Sequence, residues 1–336
     1  MIIVSILVLM LMITIHEFGH FAMAKLTHVP VYEFAVGMGP KIFSKKGKSE
    51  TTYSLRCIPI GGFCSFDKGD ATGIQDTELN KHPIWKRVVI LFGGAGFNLI
   101  SAFIVAVLIC LFMGIPGTST RIYEIADNRA DSFLLPEDEI ISVNGQKVNE
   151  DYSVIENAFE HSNGRANITV LRNGEEVSSK IQLFRIGEDW KMGVNMYPSI
   201  HKIAIKDVIP TSFMYCCRLG GSILESLKGL FLGKTEVKDM SGIVGIVTVM
   251  GDASKNDIRN LLSYFVMISI NLGIVNMLPI PVLDGSKILF CLYEAVFKKK
   301  IPEKFESWLT VVFAFLLILL MIYVTVFDVF RIFVKK

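Results

Sequence analysis

Four long apolar segments limit what this chain can fold into. They cover about residues 2–24, 88–115, 261–281 and 307–327, and 51% of all residues are hydrophobic. Each segment is close to the roughly 20 residues that a helix needs to cross the hydrocarbon core of a bilayer. Backbone polar groups in lipid must be satisfied within the segment, so such segments form helices. The sequence therefore predicts a polytopic α-helical membrane protein with four transmembrane helices and both termini on one side.

The first apolar segment contains the pattern H-E-x-x-H at His16, Glu17 and His20. Residues four apart share one face of a helix, so both imidazoles can reach one metal ion, and zinc is the usual occupant. Glu17 is placed to take a proton from a water beside that metal. A signal peptide would begin with positively charged residues. Here no charged residue precedes Glu17, and the next one is Lys25. Ionisable groups inside a membrane by default mark function.

A zinc site with two histidines needs a third protein ligand, and Asp284 is the candidate. It lies in the stretch 276–285, N-M-L-P-I-P-V-L-D-G, where Pro279 and Pro281 break a helix. Non-helical backbone at membrane depth is tolerated only where it lines protein or a wet cavity. The stretch is therefore expected to be a site wall. Spacing alone equally allows a helix end capped by Asp284 and Gly285 at the membrane surface.

The charges between the spans predict an orientation. Residues 25–87 contain ten Lys and Arg, and Lys298, Lys299 and Lys300 lie between spans three and four, so both loops should be cytoplasmic. Residues 120–200 contain 8 Lys and Arg and 14 Asp and Glu, a net of 8 − 14 = −6, and should lie outside with the termini. The basic C-terminal tail runs mildly against this topology. The overall net charge of +2 indicates no nucleic-acid partner.

Two regions between the spans are expected to contain strands. Residues 53–63 predict a hairpin that turns at Gly61 and Gly62, whose edge could pair with an extended substrate, although a plain surface hairpin fits equally well. The region outside predicts a compact α+β domain. Its elements are strands over 139–148, a helix over 153–161 and a hairpin with its turn at Asn173-Gly174.

The stretch 212–234 is apolar on one side but contains Arg218, Glu225 and Lys228, which argue against a fifth span. It predicts an amphipathic helix at the membrane interface. The short apolar stretch 241–246 that follows predicts a re-entrant or packed segment.

The two ligand segments together resemble the site-2 protease family, zinc metalloproteases that cut within the membrane. H-E-F-G-H in span one and N-x-x-P-x-P-x-L-D-G in span three are similar to the bacterial RseP-type regulated intramembrane proteases, here with one PDZ domain. Residues 59–63 resemble the family's membrane-associated β-hairpin, 94–98 its G-x-x-x-N stretch in span two, and 136–148 a PDZ core. Ser286 and Ala95 depart from the residues frequent in this branch, Gly and Pro.

The resemblance implies roles for individual residues. His16, His20 and Asp284 would bind Zn²⁺, and Glu17 would be the general base. Asn276, Pro279 and Asn98, with Gly61 and Gly62 in the hairpin, would contact or support the substrate. The implied division of the chain is a first span at 1–26, a cytoplasmic loop with the hairpin at 27–86, a second span at 87–116, an extracytoplasmic PDZ domain at 118–198, an interfacial segment at 211–258, a third span at 259–285 and a fourth at 306–328.

The implied substrate is a single-span membrane protein such as an anti-sigma factor, already trimmed by an upstream site-1 protease, or the remnant of a signal peptide. The PDZ domain would exclude untrimmed proteins. The alternative is a membrane protein without proteolytic activity, either a metal transporter or a scaffold that presents the PDZ domain. Transporters often contain repeated halves, and this sequence shows none.

Overall fold

The structure is a computed structural model that describes residues 2–47, 50–68, 78–149, 152–186, 189–201, 204–233, 245 and 258–334. The chain forms two compact units. One unit, called the helical unit below, consists of residues 1–109 and 208–336. The other, called the sheet unit, consists of residues 110–207.

The prediction of four membrane helices is confirmed. Helices long and apolar enough to cross a membrane cover Ile3–Leu26, Ile84–Met113, Ile258–Asn276 and Lys304–Val326. The described part of the chain contains seven α-helices: α1 (Ile2–Leu26), α2 (Ile84–Leu108), α3 (Tyr152–Glu160), α4 (Val208–Phe231), α5 (Ile258–Asn276), α6 (Asp284–Phe297) and α7 (Glu303–Val334).

Helices α1 and α2 cross at a point where neither has a side chain. Gly19 and Gly93 face each other, and a Cβ added to Gly93 would lie 2.6 Å from the carbonyl oxygen of Gly19. Small residues at a membrane helix crossing let the two backbones approach closely. Helix α5 approaches α2 in a similar way, since a Cβ on Gly273 would lie 3.2 Å from the carbonyl oxygen of Ala95. These contacts fix α1, α2 and α5 as one packed group.

The third span is shorter than predicted. Helix α5 ends at Asn276 instead of continuing to residue 285, and Asp284 begins the separate helix α6. The intervening residues contain Pro279 and Pro281, and Val282 has φ +94°. Proline removes backbone donors, and a positive φ is strained for a β-branched residue, so the chain cannot continue as one helix. Asp284 therefore lies at the start of a helix and not at the end of a span.

The predicted turn at Gly61-Gly62 is wrong, because both glycines lie inside a strand. Strands β1 (Glu33–Lys46) and β2 (Thr52–Ser65) are long and change partners along their length. Residues 33–36 pair in parallel with 52–55 and antiparallel with 62–65, while 43–46 pair antiparallel with 52–55. Gly61 has φ +89°, and the register shifts opposite it, so it bends β2 as a bulge does. Strand β1 ends at Lys46, and β2 begins at Thr52.

Helix α4 has the predicted amphipathic stretch along its length and packs against α2 and α5. Gly220 of α4 lies near α5, where an added Cβ would be 3.7 Å from the Ile274 side chain and 3.9 Å from that of Ile270. The position of α4 at the membrane interface stays a prediction. The predicted re-entrant stretch 241–246 lies outside the described residues, apart from Gly245.

The sheet unit contains the predicted strands, helix and hairpin around one apolar core. Its strands are β3 (Ile115–Ile125), β4 (Glu139–Val143), β5 (Gln146–Lys147), β6 (Arg165–Arg172), β7 (Glu175–Gln182), β8 (Phe184–Ile186), β9 (Asp189–Lys191) and β10 (Val194–His201). The order β10-β3-β4-β6-β7 forms the main sheet, β5 pairs with β4, and β8 pairs with β9. Asn173 and Gly174 form the β6–β7 turn, both with positive φ. That this unit is a PDZ domain stays a prediction.

A buried ion pair connects a loop of the sheet unit to strand β6. Asp138, 1% exposed, accepts two hydrogen bonds from Arg172, at 2.8 and 2.7 Å, and one from the Leu135 N–H at 2.9 Å. Burial alone would raise the pKa of Asp138, but these hydrogen bonds hold it below its usual value. Asp138 is therefore charged at neutral pH and stabilises the unit as a carboxylate.

We expect Asp138→Asn to destabilise the sheet unit by about 2 kcal/mol, because it weakens a buried charged pair. Hydrogen exchange of the β6 amides in the intact protein should then accelerate by up to ~30-fold. The stabilisation should be present above the ordinary aspartate pKa and lost as the pH falls through the lowered value. Asp127→Asn, which removes the more exposed pair with Arg129, is the control. Equal exchange in both variants would contradict this assignment.

Candidate metal centre

Three predicted ligand atoms meet in the helical unit. His16 Nε2 lies 3.2 Å from His20 Nε2, and Asp284 Oδ2 lies 3.2 Å from the first and 3.3 Å from the second. Ligands about 2.0–2.1 Å from a tetrahedral zinc ion lie about 3.3 Å from one another, so this near-equilateral triangle matches one face of such a site. Among the described residues, these three form the one cluster of His, Cys, Asp or Glu that could hold a metal ion.

The environment of the three side chains also fits a cation. His16 and His20 are each 7% exposed, and Asp284 Oδ2 is buried without a hydrogen-bond partner. A buried carboxylate oxygen that lacks a donor is costly unless it is paired with a charge or coordinates a metal. Oδ2 is the oxygen that points at the two imidazoles. The donor set of two imidazoles and one carboxylate is one that zinc enzymes use.

Helix α2 holds the two imidazoles in place. His20 Nδ1 donates a hydrogen bond to the carbonyl oxygen of Ile90 at 2.9 Å, which leaves Nε2 available as a ligand. Gly94, one turn further on, leaves room for both rings, since a Cβ there would lie 2.7 Å from His16 Cε1 and would overlap His20 Nε2. Asn98, one turn further again, lies with its side-chain amide 3.2 Å from His16 Nδ1. Positions 90, 94 and 98 thus form a stripe on the face of α2 that contacts the histidines.

Glu17 lies beside the three ligands in a cavity of about 330 Å³. The backbone N–H of Cys64 hydrogen-bonds its carboxylate, and a Cβ on Gly62 would lie 3.4 Å from Glu17 Cγ. Among the described strands, residues 62–65 pair on one side with 33–36. Glu17 therefore lies next to the other edge of this part of β2.

The predicted substrate-binding residues lie at different distances from the cavity. Asn276 Nδ2 is 3.5 Å from His16 Nε2, and Asn276 and Gly62 line the cavity. Pro279 is exposed in the connection between α5 and α6. Gly61, in β2, lies against the side chain of Met38 in β1. Neither is among the residues that line the cavity. The substrate-binding roles of these residues stay predictions.

Two contacts that the sequence analysis did not predict hold α6, the helix that begins with Asp284, in place. Arg87 Nη1 of α2 and Glu294 Oε2 of α6 form a largely buried ion pair at 2.6 Å. Gly285 packs directly against the backbone of Met277 and Leu278, where any side chain would overlap. Lys287 and Cys64, also absent from the predicted site, line the cavity. The spacing G-x-x-x-N, which puts Gly94 and Asn98 on one helix face, was the available signal for the α2 stripe.

We expect Gly94→Ala to weaken metal binding at least tenfold, because the new methyl group would displace both imidazoles while the helix itself tolerates alanine. Gly96→Ala is the matched control, since a Cβ there meets only the Phe92 ring at 3.4 Å. Metal content per chain after dialysis against a weak chelator measures the difference. Equal content in the two variants would show that Gly94 is not part of the site.

Comparison with known proteins connects this geometry to a family. The sequence profile of peptidase family M50 matches residues 4–320. A protein of Fusobacterium nucleatum named as a zinc metalloprotease is 32% identical, with 98% of each chain covered. A Clostridium acetobutylicum protein with the same designation is 30% identical, over 98% of this chain and 97% of the relative. The Bacillus subtilis protein named regulator of sigma-W protease RasP is 25% identical, with 95% of each chain covered. The chain belongs to peptidase family M50, the site-2 proteases, and is a multi-pass membrane zinc metalloendopeptidase.

Proposed function

We propose that this protease hydrolyses a peptide bond in or near the transmembrane segment of a single-span membrane protein, with His16, His20 and Asp284 holding Zn²⁺ and Glu17 acting as general base. The convergence of the three ligand atoms, with the orphaned Asp284 Oδ2 aimed at both imidazoles, carries the proposal. All four residues line one cavity, whose wall is formed by residues of α1, β2, α2, α5 and α6.

Glu17 is the group that moves the proton. When bound, zinc supplies positive charge that acidifies a nearby water and polarises a carbonyl oxygen. Glu17 takes the proton from that water and later delivers it to the leaving amine. The Cys64 N–H, which hydrogen-bonds the Glu17 carboxylate, belongs to a residue that lines the same cavity. Asn276, which lies beside His16 at the same cavity, is placed to hold the substrate backbone.

The edge of β2 supports binding of the substrate in an extended form. A helix hides its carbonyl groups in internal hydrogen bonds, so a peptide bond must leave the helix before water can attack it. Extended peptides commonly add to an exposed sheet edge through main-chain hydrogen bonds. Gly62, at such an edge and close to Glu17, has no side chain to keep a peptide away from the base.

The comparisons and the charge distribution support a partner and an orientation. One relative is named for the regulation of sigma-W, which favours an anti-sigma factor-like substrate here, cut after an upstream site-1 protease has trimmed it. Signal peptide remnants have the same single-span chemistry. The basic residues of the β1–β2 region and of the α6–α7 connection favour a cytoplasmic location for both, with the sheet unit and the termini outside.

The direct test is Glu17→Gln in purified protein, with a single-span substrate that has a short ectodomain. The variant should keep its zinc, because glutamine leaves all three ligands in place, and should lose cleavage by at least ~10³-fold. Glu225→Gln, the same chemical change on an exposed face of α4, is the control and should cleave normally. A chelator should abolish cleavage by the wild type. Cleavage retained in Glu17→Gln, or zinc bound without any cleavage by the wild type, would favour the transporter or scaffold alternative.

The need for an extended substrate predicts an effect of helix propensity. Replacing two leucines next to the cleaved bond with glycines should raise kcat/KM by up to about 30-fold, because the two glycines together cost a helix about 2 kcal/mol. The same pair of glycines placed at the far end of the substrate span should have little effect. If both substrates are cleaved at the rate of the parent, unwinding does not limit the reaction and this part of the proposal fails.

A further inference from the structure

We propose that Asn98 is a positioning residue of the metal centre: its side-chain oxygen fixes the tautomer of His16 that presents a free Nε2 to zinc. The inference rests on the proposed metal site and assigns Asn98 a different task from substrate support. Asn98 is 0% exposed, and its amide contacts His16 from the side opposite to the cavity ligands. A residue so buried has no surface with which to touch a substrate.

The argument begins with the protons of the imidazole. A neutral histidine carries one N–H, and if Nε2 binds the metal, that N–H must be on Nδ1. The Nδ1–H of a ligating histidine normally donates to a carboxylate or carbonyl oxygen, which fixes the ring and strengthens the ligand. In the described part of the chain, the Asn98 amide lies within reach of His16 Nδ1, at 3.2 Å.

The Asn98 amide itself supports this assignment. With its nitrogen towards His16 Nδ1, its oxygen Oδ1 is buried without a hydrogen-bond partner. Oxygen and nitrogen of an asparagine side chain exchange places on a 180° rotation of the amide, and the hydrogen-bond network decides between the two. Rotation brings Oδ1 to the Nδ1–H of His16. The rotated amide therefore gives the buried Oδ1 a hydrogen-bond donor. The same hydrogen bond selects the His16 tautomer whose Nε2 is free to bind the metal.

The two histidines depend on α2 in different ways. His20 is held by a backbone carbonyl, that of Ile90, which no substitution can remove. His16 is held by a side chain, so its orientation can be changed by one substitution. The backbone at Asn98 is fixed as well, since its carbonyl oxygen accepts hydrogen bonds from Ser101 of α2 and Ser269 of α5, each at 2.9 Å. Contacts with residues of α1, α2 and α5 thus fix the position of Asn98.

The test measures zinc affinity by competition with a chelator in detergent, on the intact protein. Asn98→Leu, of similar size but without an acceptor, should bind zinc 10–100-fold more weakly. Asn98→Asp, which can only accept, should bind within about threefold of the wild type or more tightly. Ser269→Ala removes another buried hydrogen bond at the same crossing without touching His16, and should bind within about twofold of the wild type. The melting temperatures of the metal-free variants show whether each is folded.

Rescue by aspartate is the decisive result. Weak binding by both Asn98→Leu and Asn98→Asp would mean that Asn98 acts as a donor, and would overturn the inference. Equal weakening in Asn98→Leu and Ser269→Ala would mean that packing sets the affinity, and would overturn it too. Wild-type affinity in Asn98→Leu would mean that the Asn98 side chain does not contribute to zinc binding, and would also overturn the inference. The metal site itself is tested separately by His16→Ala: if that variant binds zinc as tightly as the wild type, the proposed function fails and not only this inference.

Discussion

The contact between the backbones of α1 and α2 is the constraint on which the rest of the structure depends. Helices packed through ordinary side chains lie 8–10 Å apart, whereas Gly19 and Gly93 bring these two into direct backbone contact. At that separation the imidazoles of α1 reach the Ile90 carbonyl and the Asn98 amide of α2. A wider crossing would leave both rings free to turn. The orientation of the ligands is therefore a property of the helix packing.

The site divides its tasks among elements from distant parts of the chain. In the proposed site, α1 contributes two imidazoles and the Glu17 carboxylate, α2 contacts the imidazoles, α6 contributes Asp284, and β2 contributes an edge beside Glu17. Val282, with φ +94°, has local backbone strain of order 1–3 kcal/mol, and Asp284 begins α6 two residues further on. Two contacts hold α6 in place: the Arg87–Glu294 ion pair and the packing of Gly285 against the preceding backbone.

What the sequence could predict was local. The four spans, the shared face of His16 and His20, and the turn at Asn173-Gly174 each follow from spacings of a few residues. The partner of those histidines did not follow, since spacing left Asp284 equally compatible with a helix cap and family resemblance was needed. Gly61-Gly62 gave the wrong turn because a positive φ serves a bulge as well as a hairpin. The role of Asn98 depends on which atom of another helix it meets, and no pattern within one segment contains that information.

The position of Asp284 at the start of its own helix has a consequence for how the protein comes into being. Membrane proteins are inserted as they are synthesised, from the N-terminus onwards. When the first two spans have been made, His16, Glu17, His20 and the residues of α2 that contact the histidines already exist, but Asp284 has not been made. Two imidazoles alone leave a zinc site incomplete. The proposed metal centre can therefore be complete only when the chain has been synthesised at least as far as Asp284, after both of the first two spans.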